Sequence, residues 1–322
     1  MAGRRERIAV RARQLSRPTT LAALARSAAW NRRADCVPAG VPEPAAAPTI
    51  EWPTAYGSPI AEWFMRPLVR GFGRWATVVP AQIEQRGEGM VLCRASHGGR
   101  TIKVAIDYLD LPTIEAEIAD EVDLYFKLQH ASEGYGRANV VPGGYVQPRN
   151  EAYDHYCRLR AWGAKREGAP VYGRFGTTFG APVREQAVGL LQGRAGLGYD
   201  GGLATVPLVE SLQEAAAASV CVDLPGKGPF CYRLVDYLAV GACVVAAPHG
   251  ARLQAGLVDR EHIVYTKPDL SDLPDLCEWL LEDGEARRRI GAAGGAFFER
   301  YLHYLPLTSY YVTTILETLE AS

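Results

Sequence analysis

Six consecutive residues, Ala242 to Ala247 in the stretch "GACVVAAP", carry no polar side chain. A run this short and this apolar, bounded by Gly241 and Pro248, predicts a strand covered on both faces, which confines the surrounding chain to a parallel α/β sheet. The neighbouring sequence agrees. "PVYGRFGTT", "ASVCVDLP" and "EHIVYT" read as further strands. Between them lie "APVREQAVGLLQG", with Pro at its start and Gly at its end, "LVESLQEAAAA", "SDLPDLCEWLLED", with Ser271 as its expected cap, and "GEARRRIGAAGGAFFERYL". Such alternation predicts a doubly wound sheet with helices on both faces. A last helical pattern, "SYYVTTILETLE" after Pro306, has too few neighbours within this unit.

The first half is organised differently. Residues 1–33 hold nine arginines against a single glutamate, in a chain whose net charge is −1, so a basic arm precedes an acidic body. Such an arm suits an anionic membrane surface, nucleic acid or an acidic partner, or else forms an Arg/Ala-rich helix packed on the body. "VPAGVPEPAAAPTIEWP" reads as an extended linker. "SPIAEWFMRPLVRGFGRW" is amphipathic. "ATVVPAQIE", "GMVLCRA" and "TIKVAIDYLD" alternate with period two, and "SHGGR" turns between the last two. "LPTIEAEIADEVD" has helical spacing, "LYFKLQ" and "ANVVPGGYV" read as strands, and "NEAYDHYCRLRAWGAKRE" as a helix capped by Asn150. The expected organisation is an arm and linker over 1–50, a reduced α/β domain over 51–165, a Rossmann-like domain over 166–305 and a terminal helix over 306–322.

No run of about eighteen apolar residues occurs, so no membrane-spanning segment is expected. Seven cysteines show no C-x-x-C pair and no matching histidine spacing, which argues against a zinc site and for reduced thiols. The expectation is a cytoplasmic chain, with peripheral membrane contact through the arm as the alternative.

The chemistry concentrates between residues 226 and 250. A helix over 231–240 places Arg233, Asp236, Tyr237 and Val240 on one side. The "GKGPF" turn before it, with Lys227 and Gly228, presents backbone amides at the positive end of the helix dipole, directly after a strand, where an anion such as a diphosphate is held. Arg233 and Lys227 then face phosphates and Asp236 accepts from ribose hydroxyls. Alternatively, Arg233 and Asp236 pair with each other on an exposed helix.

"FCYRLVDYLAVGACVVAAP" followed by "HIVYTKPDLSDLPDLCEWLLEDGEARRRIGAAGGAFFERY" resembles the nucleotide-sugar-binding half of GT-B-type glycosyltransferases, over roughly residues 170–305. The resemblance implies two Rossmann-like domains facing across a cleft, with the last helix crossing back to the first. It implies a nucleotide-activated sugar as donor substrate, no separate cofactor, and a glycan, lipid-linked or small-molecule acceptor. It assigns Arg233 to the diphosphate, Asp236 to the ribose, and Arg174 of "VYGRFG" to the phosphates. Retaining members carry a further Glu seven or eight residues before the ribose carboxylate, where this chain has Pro229 and Gly228. "VAIDYLDLPTIEAEIADEVDLYFKLQH" resembles the acceptor-side region of some bacterial members.

If transfer inverts the anomeric centre, a general base is needed. Asp107 and Asp110 follow a strand at the end expected to face the cleft, although either also serves as a cap or turn former. His130 is a further candidate, because an imidazole titrates near neutrality, and His249, just after the strand 242–247, is expected among the donor-binding residues of the cleft. No D-x-D triplet follows a strand, so metal-independent transfer is expected. The rival readings are a nucleotide-sugar epimerase, and a non-catalytic nucleotide- or glycan-binding assembly partner.

Overall fold

The computed structural model describes residues 37–163 and 168–322; the basic arm and the expected boundary at 165 lie outside them. The first α/β unit is built on a six-stranded sheet in the order β2-β1-β3-β4-β5-β6. Its strands are β1 (Thr49–Pro53), β2 (Thr77–Ala81), β3 (Met90–His97), β4 (Arg100–Asp107), β5 (Leu124–Lys127) and β6 (Val140–Pro142). β1 runs parallel to β2, and β4, β5 and β6 run parallel to one another, while β3 is antiparallel to both of its neighbours. Helix α1 (Pro59–Trp75) starts at the N-cap Ser58, and the short α2 (Ala116–Glu121) precedes β5.

The second unit is a five-stranded, wholly parallel sheet in the order β11-β10-β9-β7-β8. It comprises β7 (Val171–Arg174), β8 (Tyr199–Gly202), β9 (Val220–Asp223), β10 (Cys243–Ala246) and β11 (Val264–Tyr265). A 3-10 turn, Asn150–Asp154, and α3 (Tyr156–Gly163) lead into it. Its helices are α4 (Ala181–Gly193), α5 (Leu208–Ala217), α6 (Tyr232–Ala239), α7 (Leu273–Glu282) and α8 (Gly284–Phe297). α4 contacts α7, whereas α5 contacts α3 and α6, so both faces of the sheet are covered, as the apolar strands require. β9 and β10 are buried at every position.

The terminal helix α9 (Tyr304–Ala321) crosses back to the first unit and packs along α1. Trp75 Nε1 donates to the Leu305 carbonyl at 3.0 Å, and the Tyr311 ring stacks on Phe126 at 3.9 Å. A Cβ at Gly71 would overlap Thr308 Oγ1, so glycine sets how closely the two helices approach. One buried cluster runs from Ile50 and Phe72 through Tyr311 to Leu234 and Tyr237 and joins the two units, while a smaller cluster lies on the far side of each sheet.

Several local expectations change. α9 begins before Pro306, at the N-cap His303, and Pro306 sits in the first turn, where a missing N–H leaves nothing unpaired. Asp272, not Ser271, stands at the cap position of α7, without a side-chain cap bond, and the Ser271 amide donates to Asp269 Oδ1. Asn150 opens a 3-10 turn instead of capping an α-helix. β1 lies within the stretch read as linker, its proline-rich surroundings hiding a five-residue strand. Cys157 is disulfide-bonded, so the reduced state expected for all seven thiols does not hold there; a scan of local cysteine spacing does not see pairs formed through space.

At the carboxyl end of β4, Asp107 and Lys127 form a buried ion pair at 2.9 Å, both essentially without solvent exposure. Asp107 also accepts from Tyr125 Oη at 2.6 Å and from the Leu109 amide at 2.8 Å, and Lys127 Nζ donates to the Leu109 carbonyl. Burial pushes the carboxyl pKa up and the ammonium pKa down, and their mutual attraction opposes both shifts. Removing one partner strands the other charge, whereas removing both does not. Lys127→Met is therefore expected to lose about 3–5 kcal/mol in urea unfolding, and Asp107→Asn with Lys127→Met to recover most of that loss. Equal stability of Lys127→Met and wild type would show that the pair is not needed.

Candidate functional site

A cavity of about 740 Å³ opens between the two units. In the second unit it lies outside the carboxyl ends of β7 and β9, adjacent strands whose connections leave in opposite directions, the place where open α/β sheets collect ligands. The loops after β7, β8 and β9 form one wall. The start of α1, the segment before β3 and the turn after β4 form the other.

Arg233 projects from the first turn of α6 onto this cavity with its side chain 13 % exposed. Its Nε donates to Asp223 Oδ1 at 2.9 Å and its Nη2 to the Leu224 carbonyl, and the guanidinium lies 4.8 Å from the Phe175 ring centroid. It does not pair with Asp236. Arg184, on the first turn of α4, reaches the same place and is buried. Its partners are the carbonyls of Pro225 and Gly176. Burial, and then the like charge of Arg233, pull its pKa below the usual arginine value. Arg233 thus has a direct carboxylate partner in Asp223, while Arg184 feels that charge without bonding to it. Lys227 adds an exposed ammonium on the cavity rim.

Arg174 also lines the cavity, but its charge is already answered: Nε donates to Glu214 Oε2 at 2.8 Å, and Nη2 lies 3.2 Å from Asp200 Oδ1. The 226–230 turn is less open than its sequence predicts. The Gly226 amide donates to the Gly228 carbonyl, and the Phe230 amide to Gln129 Oε1 at 3.2 Å. Gly228 is buried under the first unit, where a Cβ would overlap Asp110 Oδ1, so its glycine serves close approach of the two units.

Asp236 is buried on α6 and lines the cavity. Its Oδ1 accepts from Gln147 Nε2 and from Tyr156 Oη, both at 2.6 Å, which ties α6 to the segment between the units. Both bonds converge on Oδ1; Oδ2 has no bond among the described residues. Burial pushes its pKa up to about 6, although Tyr156, Arg149 and Gln147 pull the other way.

Of the candidate bases, the structure brings only Asp110 to the cavity, half-buried and accepting from Gln129 Nε2 at 2.6 Å. Asp107 lies behind it in the Lys127 pair and does not line the cavity. His130 is buried with Nδ1 against the Ala131 carbonyl, and His249 sits between Phe230 and Tyr265 with Nε2 on Tyr265 Oη at 2.6 Å; neither ring lines the cavity. Burial lowers the pKa of both imidazoles.

Sequence reasoning missed Arg184, Asp223 and Gln129. Arg184 shares a helical stripe with Val188 and Leu191, and an arginine on an apolar stripe is a readable signal. Asp223 ends an apolar strand. Gln129 carries no such mark.

No protein-family model and no curated protein matches the chain. Among solved structures it is similar to a glycosyltransferase from Rickettsia africae, at 12 % identity over 65 % of this chain and 69 % of that one, with a TM-score of 0.45. It is also similar to the C-terminal domain of a group 1 family glycosyl transferase, LpcC, from Francisella tularensis, at 15 % identity over 43 % of this chain and 89 % of that one, with a TM-score of 0.32. A third is Anabaena HepE in complex with UDP-glucose, at 17 % identity over 62 % of this chain and 64 % of that one, with a TM-score of 0.36. These are likenesses of fold. Among the described residues, no helix is long and apolar enough to cross a membrane.

A carboxyl group whose pKa is raised on folding stabilises the native state below its unfolded value, here 3.8, and that contribution is lost as pH rises through about 6. Wild-type stability is therefore expected to fall between pH 4 and pH 7 relative to Asp236→Asn, which keeps an acceptor for Gln147 and Tyr156. By pH 7 the variant should be more stable by a few kcal/mol at most, with the two proteins alike at pH 3.5. Parallel melting curves across this range would overturn the assignment.

Proposed function

We propose that this chain is a glycosyltransferase that moves a sugar from a nucleoside diphosphate sugar to an acceptor hydroxyl without a metal ion. The observation that carries this reading is the convergence of Arg184, Arg233 and the exposed Lys227 on one wall of the cavity at the carboxyl ends of β7 and β9, where, among the described residues, only Arg233 has a carboxylate, Asp223, as a direct ion-pair partner. A buried excess of positive charge is costly unless an anion completes it, and a diphosphate supplies one.

The transfer assigns each group a task. The acceptor oxygen forms a bond to the anomeric carbon as the bond from that carbon to the diphosphate oxygen breaks, and the bonding pair leaves on the diphosphate. Arg184, Arg233 and Lys227 stabilise the charge that develops there. The acceptor proton passes to Asp110, the carboxylate on the opposite wall. Asp236 offers Oδ2 to the ribose hydroxyls while Oδ1 stays with Gln147 and Tyr156. Arg174, bound to Glu214 and Asp200, shapes the wall and holds no phosphate.

A thermal-shift screen against uridine, guanosine, thymidine, adenosine and cytidine diphosphates is expected to find one that raises the melting temperature, since a ligand bound only to the native state stabilises it. Arg233→Gln and the exposed Lys227→Ala should each weaken that nucleotide at least about tenfold by calorimetry, a loss expected of charge-assisted bonds. Asp110→Asn should leave nucleotide affinity intact while slowing transfer of labelled sugar by about a hundredfold or more. Binding without turnover, or an isomerised donor as the product, would replace transfer with one of the rival readings.

A further inference from the structure

The cavity is divided by chemistry. The cationic groups Arg184, Arg233 and Lys227 belong to the second unit, and Arg149, from the segment that joins the units, lies over the Tyr232 ring of α6. The facing wall of the first unit presents Ile60, Trp63 and Phe64 from the opening turns of α1, a stripe at positions i, i+3 and i+4. Leu109, the residue next to Asp110, extends this wall. Its rings are held in place: Phe64 stacks on Tyr108 at 5.2 Å and 21°, and Trp63 meets Phe64 edge-on at 5.2 Å. Ser58 and Pro59 start the helix at this point, and the Ile60 amide donates to Ser58 Oγ, so the stripe begins at a defined place.

Two large apolar side chains are left open to water on opposite sides of this space. Ile60 is 52 % exposed and Phe179, from the loop after β7, is 51 % exposed. Facing apolar residues at the mouth of a cavity mark a binding surface more than a scattered surface residue does. The ionisable groups that the turns at 87–90 and 108–110 add to the first-unit wall are both acidic, Glu88 and Asp110. An anionic group placed directly beside Glu88 and Asp110 would be repelled, whereas the cations of the cavity, Arg149 included, lie toward α6 and the turn before it.

We propose that the acceptor is a neutral molecule bearing an apolar aromatic or alkyl group beside its reacting hydroxyl, and that this group is held between Ile60, Trp63 and Phe64 on one side and Phe179 on the other. The inference rests on the transferase reading for its use of the word acceptor, but the apolar subsite is testable by itself. A hydroxyl brought to Asp110 sits next to Leu109, so the remainder of the molecule lies along the apolar wall.

Equilibrium binding to the full chain is measured with three neutral hydroxyl compounds: 2-naphthol for the aromatic case, 1-octanol for the alkyl case and methyl β-D-glucopyranoside as the polar control. At least one apolar alcohol is expected to bind ten or more times tighter than the glucoside, and which one does so identifies the apolar group. Ile60→Ser combined with Phe179→Ser, both at exposed positions, should remove that preference while leaving the affinity for the stabilising nucleoside diphosphate unchanged. Trp63→Phe should abolish the change in tryptophan fluorescence on adding 2-naphthol. Equal affinity for all three compounds, no binding of either apolar alcohol, or a preference that persists in the double variant would each overturn the proposal. If no nucleoside diphosphate binds but the apolar preference and its loss in the double variant remain, the donor reading falls and the apolar subsite stands.

Discussion

The Tyr311 ring lies flat on Phe126, and around this stack the last helix of the chain is fastened to the central strands of the first sheet. Aromatic pairs of this kind contribute about 0.5–1.5 kcal/mol beyond the area they bury. Here the contact is reinforced by Tyr311 Oη and Tyr310 Oη donating to the carbonyls of Gly143 and Pro142. The chain enters this helix from the second unit, through the π-helical turn Phe298–Leu302. Together with the bonds from Gln147 and Tyr156 to Asp236, it ties the units at two separate places and fixes the width of the space between them.

Within that space the electrostatics are unbalanced on one side only. Asp223 ends β9 and pairs with Arg233, while the nearby Arg184 is buried with carbonyl oxygens as its hydrogen-bond partners. A core assembled for stability alone would place a second carboxylate there, as Arg174 has in Glu214 and Asp200 a few residues away. The two arginine environments therefore differ: Arg174 is answered by two carboxylates, Arg184 by carbonyl oxygens alone. On the first unit the opposite holds, since the buried Asp107 and Lys127 satisfy one another and leave Asp110 to meet the cavity.

Much of the second unit was legible because fully buried parallel strands leave runs such as "ACVVAA" that admit few alternatives, and because α6 ends where Gly241 says it should. The last helix was legible as a helical segment with too few neighbours in its own unit, and its crossing to the first unit was expected only from the GT-B resemblance. The first unit was harder. β1 hides in a proline-rich stretch, and its sheet mixes strand directions, which alternation along a single strand does not report. At the site, the turn after a strand pointed to Arg233 and Asp236 as cavity residues and the resemblance added Arg174, but spacing along a helix does not reveal that Arg233 turns to Asp223 and Asp236 to Gln147 and Tyr156. Asp107 and Asp110 read alike in sequence, and only packing distinguishes the buried pair from the open carboxylate. Gln129 was invisible, because an amide side chain in a strand-like run has no pattern to betray a partner about a hundred residues away.

That glutamine has a thermodynamic consequence. Its Nε2 donates to Asp110 Oδ1 and to the Phe230 carbonyl, while its Oε1 accepts from the Phe230 amide, so a single side chain touches both the carboxylate of one wall and the turn that opens α6 on the other. Occupancy on either side that shifts this amide changes the free energy of the opposite side by the same amount, as linkage demands. Two substrates bound in this cavity would therefore sense one another through Gln129 even without touching.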